Sequence, residues 1–453
     1  MVPHPPILIT PNSAASKIAS VKSVAARTAA GHGRWHEVAQ TLARRVEQRL
    51  TAEFRVLWRA ASVSNLGDGL RVAALPLLAA TITRDPVQIA AVTAMIWLPW
   101  LVTGLYAGAL VDRVDRPQLI RNVQLGRLIV EGALAILVIL DEASMPIIYI
   151  AAFLIGAGEV LVDNALQSLV PRVVVRGDLE RANSALIAAE TAGNELVGPP
   201  VGAFLFAVVP AAPFLIDAAS YGYSASAVHR LSRNLPTERR PRVPLRRITR
   251  EVVDGLRWLR GHSYLRAITL WGGVFNIGST ASFSLLVLFA LEILDTGDVG
   301  YGVLLSVVGL GGLAGAAVAS ALVSRVGRGR TILLGAVGSG VVVSIVGLID
   351  NTYGAAALLF AGSGLGAMVN VVGRALRQAM VPDQMLGRVT GSNRVIVYGA
   401  MPLGAALGGW IARTLDLRAA FVVGGLIMTA VSLAIAPWLR ERLIDDALRA
   451  NHE

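Results

Sequence analysis

The sequence predicts an all-α membrane protein with twelve transmembrane helices in two six-helix bundles related by pseudo-twofold symmetry. Three observations predict it. The first is composition: of 453 residues, 54% are hydrophobic and only 16% charged, with a mean hydropathy of +0.61, against about a quarter charged in soluble domains. The second is a repeat. Residues 108–120 read Gly-Ala-Leu-Val-Asp-Arg-Val-Asp-Arg-Pro-Gln-Leu-Ile, and residues 320–332 read Ser-Ala-Leu-Val-Ser-Arg-Val-Gly-Arg-Gly-Arg-Thr-Ile. The two align without a gap, each a short basic loop between apolar runs, once per half. The third is charge alternation. Alternate loops hold Arg113, Arg116 and Arg121, then Arg172, Arg176 and Arg181, then Arg325, Arg328 and Arg330, then Arg377 and Arg388. The others hold Asp85, Asp141, Glu142, Asp295, Asp298, Asp350 and Asp416, with only Arg84, Arg413 and Arg418 among them. The arginine-rich set is expected to be cytoplasmic, with both termini on that side of a plasma membrane.

A spanning helix needs about 20 mostly apolar residues. Such runs fall at 54–80, 86–111, 119–140, 145–170, 182–208, 211–231, 264–292, 299–323, 328–349, 353–379, 390–412 and 418–438. The resulting domains are a cytoplasmic tail at 1–50, a first bundle at 51–232, a cytoplasmic linker at 233–262, a second bundle at 263–440 and a tail at 441–453. The first tail is rich in Ala and Ser and has no acid before Glu37. It is read as a cytosolic tail, with 35–49 fitting a basic amphipathic surface helix. The linker opens on an extended stretch, Arg239 to Pro244, and a surface helix is expected over 246–260. A second repeat supports the division: Arg181 to Gly202 aligns with Arg388 to Gly409.

Composition also excludes functions. There is no cysteine, so there is no disulfide and no thiol nucleophile. The net charge of +11 is almost all arginine, with Lys17 and Lys22 the only lysines. It lies between hydrophobic runs, where loop asymmetry accounts for it, and no nucleic-acid partner is expected. Gly309 and Gly311 sit inside an apolar span and not after a strand, which argues against a nucleotide site. No His cluster, catalytic set, metal site or cofactor site is visible, and no enzyme is expected.

Gly108, Asp112, Arg113 and Arg116 resemble the Gly-x-x-x-Asp-Arg-x-Gly-Arg loop of the major facilitator superfamily, with Asp115 where that pattern has glycine. Gly193, Gly198, Pro199 and Gly202 resemble the Gly-Pro helix-bend motif of its antiporter-type members. Asn65-Leu66-Gly67-Asp68-Gly69, Leu169-Val170-Pro171 and Arg181-Ala182-Asn183 resemble the branch of enterobactin-type siderophore exporters and macrolide-efflux-like proteins. The resemblance covers about 51–440. It implies a loop that latches the cytoplasmic side, with Asp112 pairing arginines and capping the third span, and a weaker latch in the second half, where Ser324 replaces the aspartate. The arginine that many proton-coupled exporters carry in span four is replaced by Gly156-Ala157-Gly158-Glu159.

Carboxylates inside a bilayer cost about 2.5–3.5 kcal/mol each at a helix centre unless paired, protonated or wetted. Here Asp68, Glu131, Glu159, Asp163, Glu190, Glu195 and Asp217 all fall in the first half. Asp68 and Arg71 are one turn apart and form either a self-neutralising pair or a proton or cation site. Glu159, Asp163 and Gln167 share one helix face, where two close carboxylates disfavour joint ionisation. Glu195, Asp217 and Asn276 are further proton-coupling or cavity candidates, though the N-terminal helix dipole could stabilise Asp217 without function, and Glu131 is read as a bridge between helices. The expected function is proton-coupled efflux of small amphipathic molecules, drug-like or siderophore-like, by a monomer exchanging protons and substrate across the lipid bilayer. Alternatives are a lysolipid or siderophore mover, for which Arg374, Arg377 and Arg394 could line a basic cavity, or a non-transporting scaffold.

Overall fold

The computed structural model describes residues 51–102, 111, 114–233, 255, 257–441, 443 and 444. Gly108, Asp112 and Arg113 of the predicted latch, the 1–50 tail, most of the linker with its expected surface helix, and 445–453 lie outside them. Regular structure among the described residues is entirely helical. In chain order the helices are α1 (Ala52–Ile82), α2 (Pro86–Val102), α3 (Arg116–Ile139) and α4 (Met145–Val173). Next come α5 (Leu179–Glu190), a π-helical turn (Thr191–Val197), α6 (Gly198–Val208) and α7 (Ala212–Ser232). The second half has α8 (Ser263–Phe283), the short α9 (Leu286–Leu288), a π turn (Phe289–Ile293), α10 (Gly297–Val326), α11 (Arg328–Val346), α12 (Thr352–Met380), α13 (Asp383–Gly399), α14 (Met401–Thr414) and α15 (Leu417–Ile435).

Eight helical stretches are long and apolar enough to cross a membrane. They are α3, α4 and six stretches covering the second half. The other expected spans belong to the first half, and each has a physical reason for falling short. Helix α1 carries Glu53, Arg55, Arg59, Asp68 and Arg71. Helix α7 carries Asp217, four serines, His229 and Arg230. The α5–α6 segment is interrupted by its π turn, and the described part of α2 is only 17 residues long. Polarity is thus concentrated inside the first half, while its outward faces and those of the second half are apolar. Ile129, Phe204, Trp410, Leu426 and Leu433 are each more than half exposed, as expected of a lipid-facing surface.

Side-chain caps start several helices. Thr51 accepts from the Phe54 amide at 3.2 Å and donates its hydroxyl to the Val173 carbonyl, fastening α1 to the end of α4. Asp115 is the N-cap of α3, accepting from the Gln118 amide at 3.0 Å. The departure from the family pattern at Asp115 is therefore a helix cap, and it fills the capping role expected of Asp112. In the second copy the aligned residue is Gly327 at φ +91°, a conformation that favours glycine. There Glu441, from beyond α15, accepts from the Gly329 amide at 2.7 Å and does for α11 what Asp115 does for α3.

The two halves meet along α2 with α13 and α14, and along α6 and its π turn with α10. At the end carrying the acidic loops, one continuous apolar core draws on both halves, including Leu75, Ile89, Phe206, Phe289, Tyr301 and Phe421. Two exposed ion pairs cross the halves there, Arg84 with Glu292 at 3.8 Å and Arg413 with Asp85 at 3.7 Å. Arg418 pairs with Asp350 within the second half. At the opposite end each half keeps a separate core, around Phe54, Leu57 and Leu169 in one and Leu265, Ile332 and Leu376 in the other. The halves are packed together at the acidic-loop end and parted at the arginine-loop end.

Candidate functional site

The parting encloses a cavity of about 440 Å³. It runs from Asp68 and Trp97 to Leu57, Val170 and Asn183 near the arginine-rich loops. Glu159, Asp163, Gln167 and Glu190 line its first-half wall, and Arg374, Arg394 and Tyr398 line its second-half wall. The Tyr398 ring stands edge-on to Trp100, with centroids 5.0 Å apart, and 5.6 Å from Trp97, so an aromatic cluster closes the inner end between the halves.

Behind this wall is a buried charge cluster built from three helices. The Asp68 carboxylate on α1 accepts from Arg71 one turn on at 3.1 Å, from Arg127 of α3 at 2.7 Å, and from the Tyr221 hydroxyl of α7 at 2.6 Å. Arg127 also lies over the Tyr221 ring, 4.2 Å from its centroid, a cation–π arrangement. Arg71 Nε lies 3.4 Å from Asp217 Oδ2, and Asp217 accepts from Ser220 at 3.2 Å. Gln124, one turn before Arg127, donates to Ser64 and Ser224, both at 3.2 Å. Such burial is tolerable only because each charge meets an opposite one; a lone buried ion costs several kcal/mol, roughly.

The expected Asp68–Arg71 pair is present, but it is one edge of a larger cluster. Asp217 is not stabilised as a helix-end group: it is fully buried beside Arg71, with its carboxylate and Ser220 packed against Gly67. Glu159 and Asp163 lie together on the cavity wall, as their spacing predicts. Glu195 and Asn276 lie outside the lining of this cavity. The Glu195 backbone packs on Gly309 of α10, and the Asn276 amide donates to the Val397 carbonyl at 3.1 Å. Arg377 is also outside the lining, whereas Arg374 and Arg394 are in it. Of the loop motif, Arg116 is buried and donates to the Ser168 carbonyl at 3.0 Å, tying the start of α3 to the end of α4.

Gly193, Gly198 and Gly202 bring the α5–α6 segment against α1 backbone to backbone. A Cβ on Gly198 would lie 2.5 Å from Gly69 Cα, and one on Gly202 would lie 2.6 Å from Leu70 Cα. Pro199 begins α6 and its carbonyl faces Gly302 of α10. A π turn, Thr191–Val197, contains Gly193 and runs directly into Gly198, a feature enriched at functional sites. Arg127 and Tyr221 were not expected. Their signal was available as polar stripes: Gln124, Arg127 and Glu131 on α3, and Asp217, Ser220, Tyr221 and Ser224 on α7.

A cavity between two helical halves, walled by charge and aromatic rings, is the layout of a multi-pass membrane transporter. Residues 49–450 match the family model described as transmembrane secretion effector, and the chain belongs to that family of the major facilitator superfamily. It is 27% identical to the MFS-type transporter y4rN of Sinorhizobium fredii over 385 residues, covering 83% of this chain and 92% of that one. It is 24% identical to the enterobactin exporter EntS of Escherichia coli over 384 residues, covering 84% and 91%. Its fold is similar to a bacterial homologue of the iron transporter ferroportin in an inward-facing state, with a TM-score of 0.70, 14% identity and coverage of 85% and 98%. It is also similar to the nucleoside transporter NupG, with a TM-score of 0.64, 12% identity and coverage of 85% and 100%. The relatives and fold neighbours are transporters, and the chain is not an enzyme.

Proposed function

We propose that this protein exports small amphipathic molecules in exchange for protons, by alternating access of two six-helix bundles, 51–232 and 263–440, joined by the 233–262 linker. In this reading twelve helices cross the plasma membrane, the arginine-rich loops and both termini are cytoplasmic, and the cavity opens inward. One observation carries it: Asp68 lines the cavity and also holds Arg71, Arg127 and Tyr221 from three helices. Charge arriving in the cavity therefore acts directly on the packing of the first bundle. The exporter acts as a monomer, and the 108–121 loop is its cytoplasmic latch. The test is flux of a cationic dye in proteoliposomes with and without an imposed proton gradient. Gradient-driven flux lost in Asp68→Asn supports the reading; equal flux in wild type and variant removes Asp68 from the mechanism.

A second reading is favoured by Arg374, Arg394 and the Trp97–Trp100–Tyr398 cluster, which suit an anionic, aromatic, siderophore-like substrate. A relative is named as an enterobactin exporter. Flux of an anionic catechol compound that falls in Arg374→Ala while cationic flux persists would favour it.

A further inference from the structure

Glu131 has no role in the coupling just described, yet it is a fully buried carboxyl in the heart of the first bundle. It sits one turn beyond Arg127 on α3 and is fully buried. Among the described residues neither of its carboxyl oxygens has a hydrogen-bond partner. The groups within electrostatic reach are Asp217 on α7, Asp68 and Arg71 on α1, and Arg127 on its own helix. Tyr221 of α7 is within electrostatic reach of Arg127 and Asp217, and Glu159 of α4, which lines the cavity, is within reach of Asp68 and Arg127.

The charges in this buried cluster do not balance. Two guanidinium groups, Arg71 and Arg127, face three carboxyls, Asp68, Asp217 and Glu131. Fully ionised, the cluster would hold one uncompensated negative charge away from water, which a buried site does not sustain. Asp68 takes three donors and is the anion. Asp217 takes Ser220 and faces Arg71. Only Glu131 has no donor at all.

The geometry points to Glu131 as a resident proton-binding site of the first bundle, protonated in this conformation and separated from the cavity by Arg127 and Asp68. Asp68 and Arg127 line the cavity, and Glu131 and Asp217 do not. Its part in transport rests on the proton-coupled reading above. A cationic substrate that engages Asp68 frees Arg127, whose Nε also lacks a partner, to turn toward Glu131. The Glu131 O–H bond then breaks, its electron pair stays on the carboxylate now paired with Arg127, and the proton leaves to cavity water. Binding of the cation and release of the proton are thereby exchanged.

The test needs no substrate. Infrared spectra of the full chain in lipid nanodiscs at neutral pH report protonated carboxyls directly. We expect a carboxylic-acid band that is lost in Glu131→Gln and moves in frequency in Glu131→Asp. Asp217→Asn should also lose it, because removing one acid lets Glu131 ionise against the two arginines. If Glu131→Gln does not fold, Asp217→Asn decides the charge count and Glu131→Asp decides the site. A band untouched by the Glu131 variants, or one that shifts in Asp217→Glu instead, overturns the proposal. Wild-type flux indifferent to a proton gradient would remove the coupling reading while leaving this band, so the two failures are told apart.

Discussion

The Tyr221 hydroxyl donates to Asp68 at 2.6 Å across 153 positions of sequence. Its ring supports Arg127 from below, so one side chain fixes both the acid and the base of the cluster. Tyr221→Phe removes the hydrogen bond and keeps the ring. A hydrogen bond to a charged group contributes about 1.5–3 kcal/mol. We expect lower thermal stability on that scale in detergent, and weaker gradient-driven flux with counterflow retained. Coupling unchanged beside a lowered melting temperature would confine Tyr221 to structure.

The close contact of α1 with the α5–α6 segment makes a steric prediction. Gly198→Ala and Gly202→Ala each drive a methyl group into the α1 backbone, and overpacking of this kind costs about 1–3 kcal/mol. Gly126→Ala, on α3 with open space around it, serves as the control. Melting temperatures of the three variants should separate the first two from the third.

Asp115→Ala should cost about 1 kcal/mol through loss of the α3 cap. Turnover at a permissive temperature should stay near wild type, because the cap organises a helix start and touches no cavity atom. A collapse of turnover without loss of stability would give the residue a part in the latch.

The two cavity walls predict opposite selectivity changes. Asp163→Asn should weaken transport of cationic probes and spare anionic ones, and Arg394→Ala should do the reverse. Competition between a cationic and an anionic dye in one vesicle preparation reads both at once; parallel losses would show that neither wall sorts substrates by sign.

Much of this was legible in the sequence, for identifiable reasons. The hairpin repeat and loop charges depend on local runs of residues, and the helices lie over those runs. Asp68 with Arg71, and Glu159 with Asp163, were readable because helical spacing places them together. Arg127, Tyr221 and Asp217 reach Asp68 and Arg71 from helices far along the chain, so only the packing reveals which polar stripes face each other. Asp217 was readable as a candidate, but its position near a helix start also offered a sufficient local explanation, and only the packing shows it beside Arg71. Asp115 looked like a blemish in a motif until its side chain was seen on the Gln118 amide. Glu195 was chosen for its place beside Gly198-Pro199, but that segment turns it toward α10.

The single apolar core at the acidic-loop end has a thermodynamic consequence. Opening that end to water would expose apolar surface of the core that the two halves share there, and hydrating apolar surface raises heat capacity. The balance between the two faces of the transporter is therefore curved in temperature. Its plot against inverse temperature should bend, and cooling should loosen the clasp that ambient warmth holds shut.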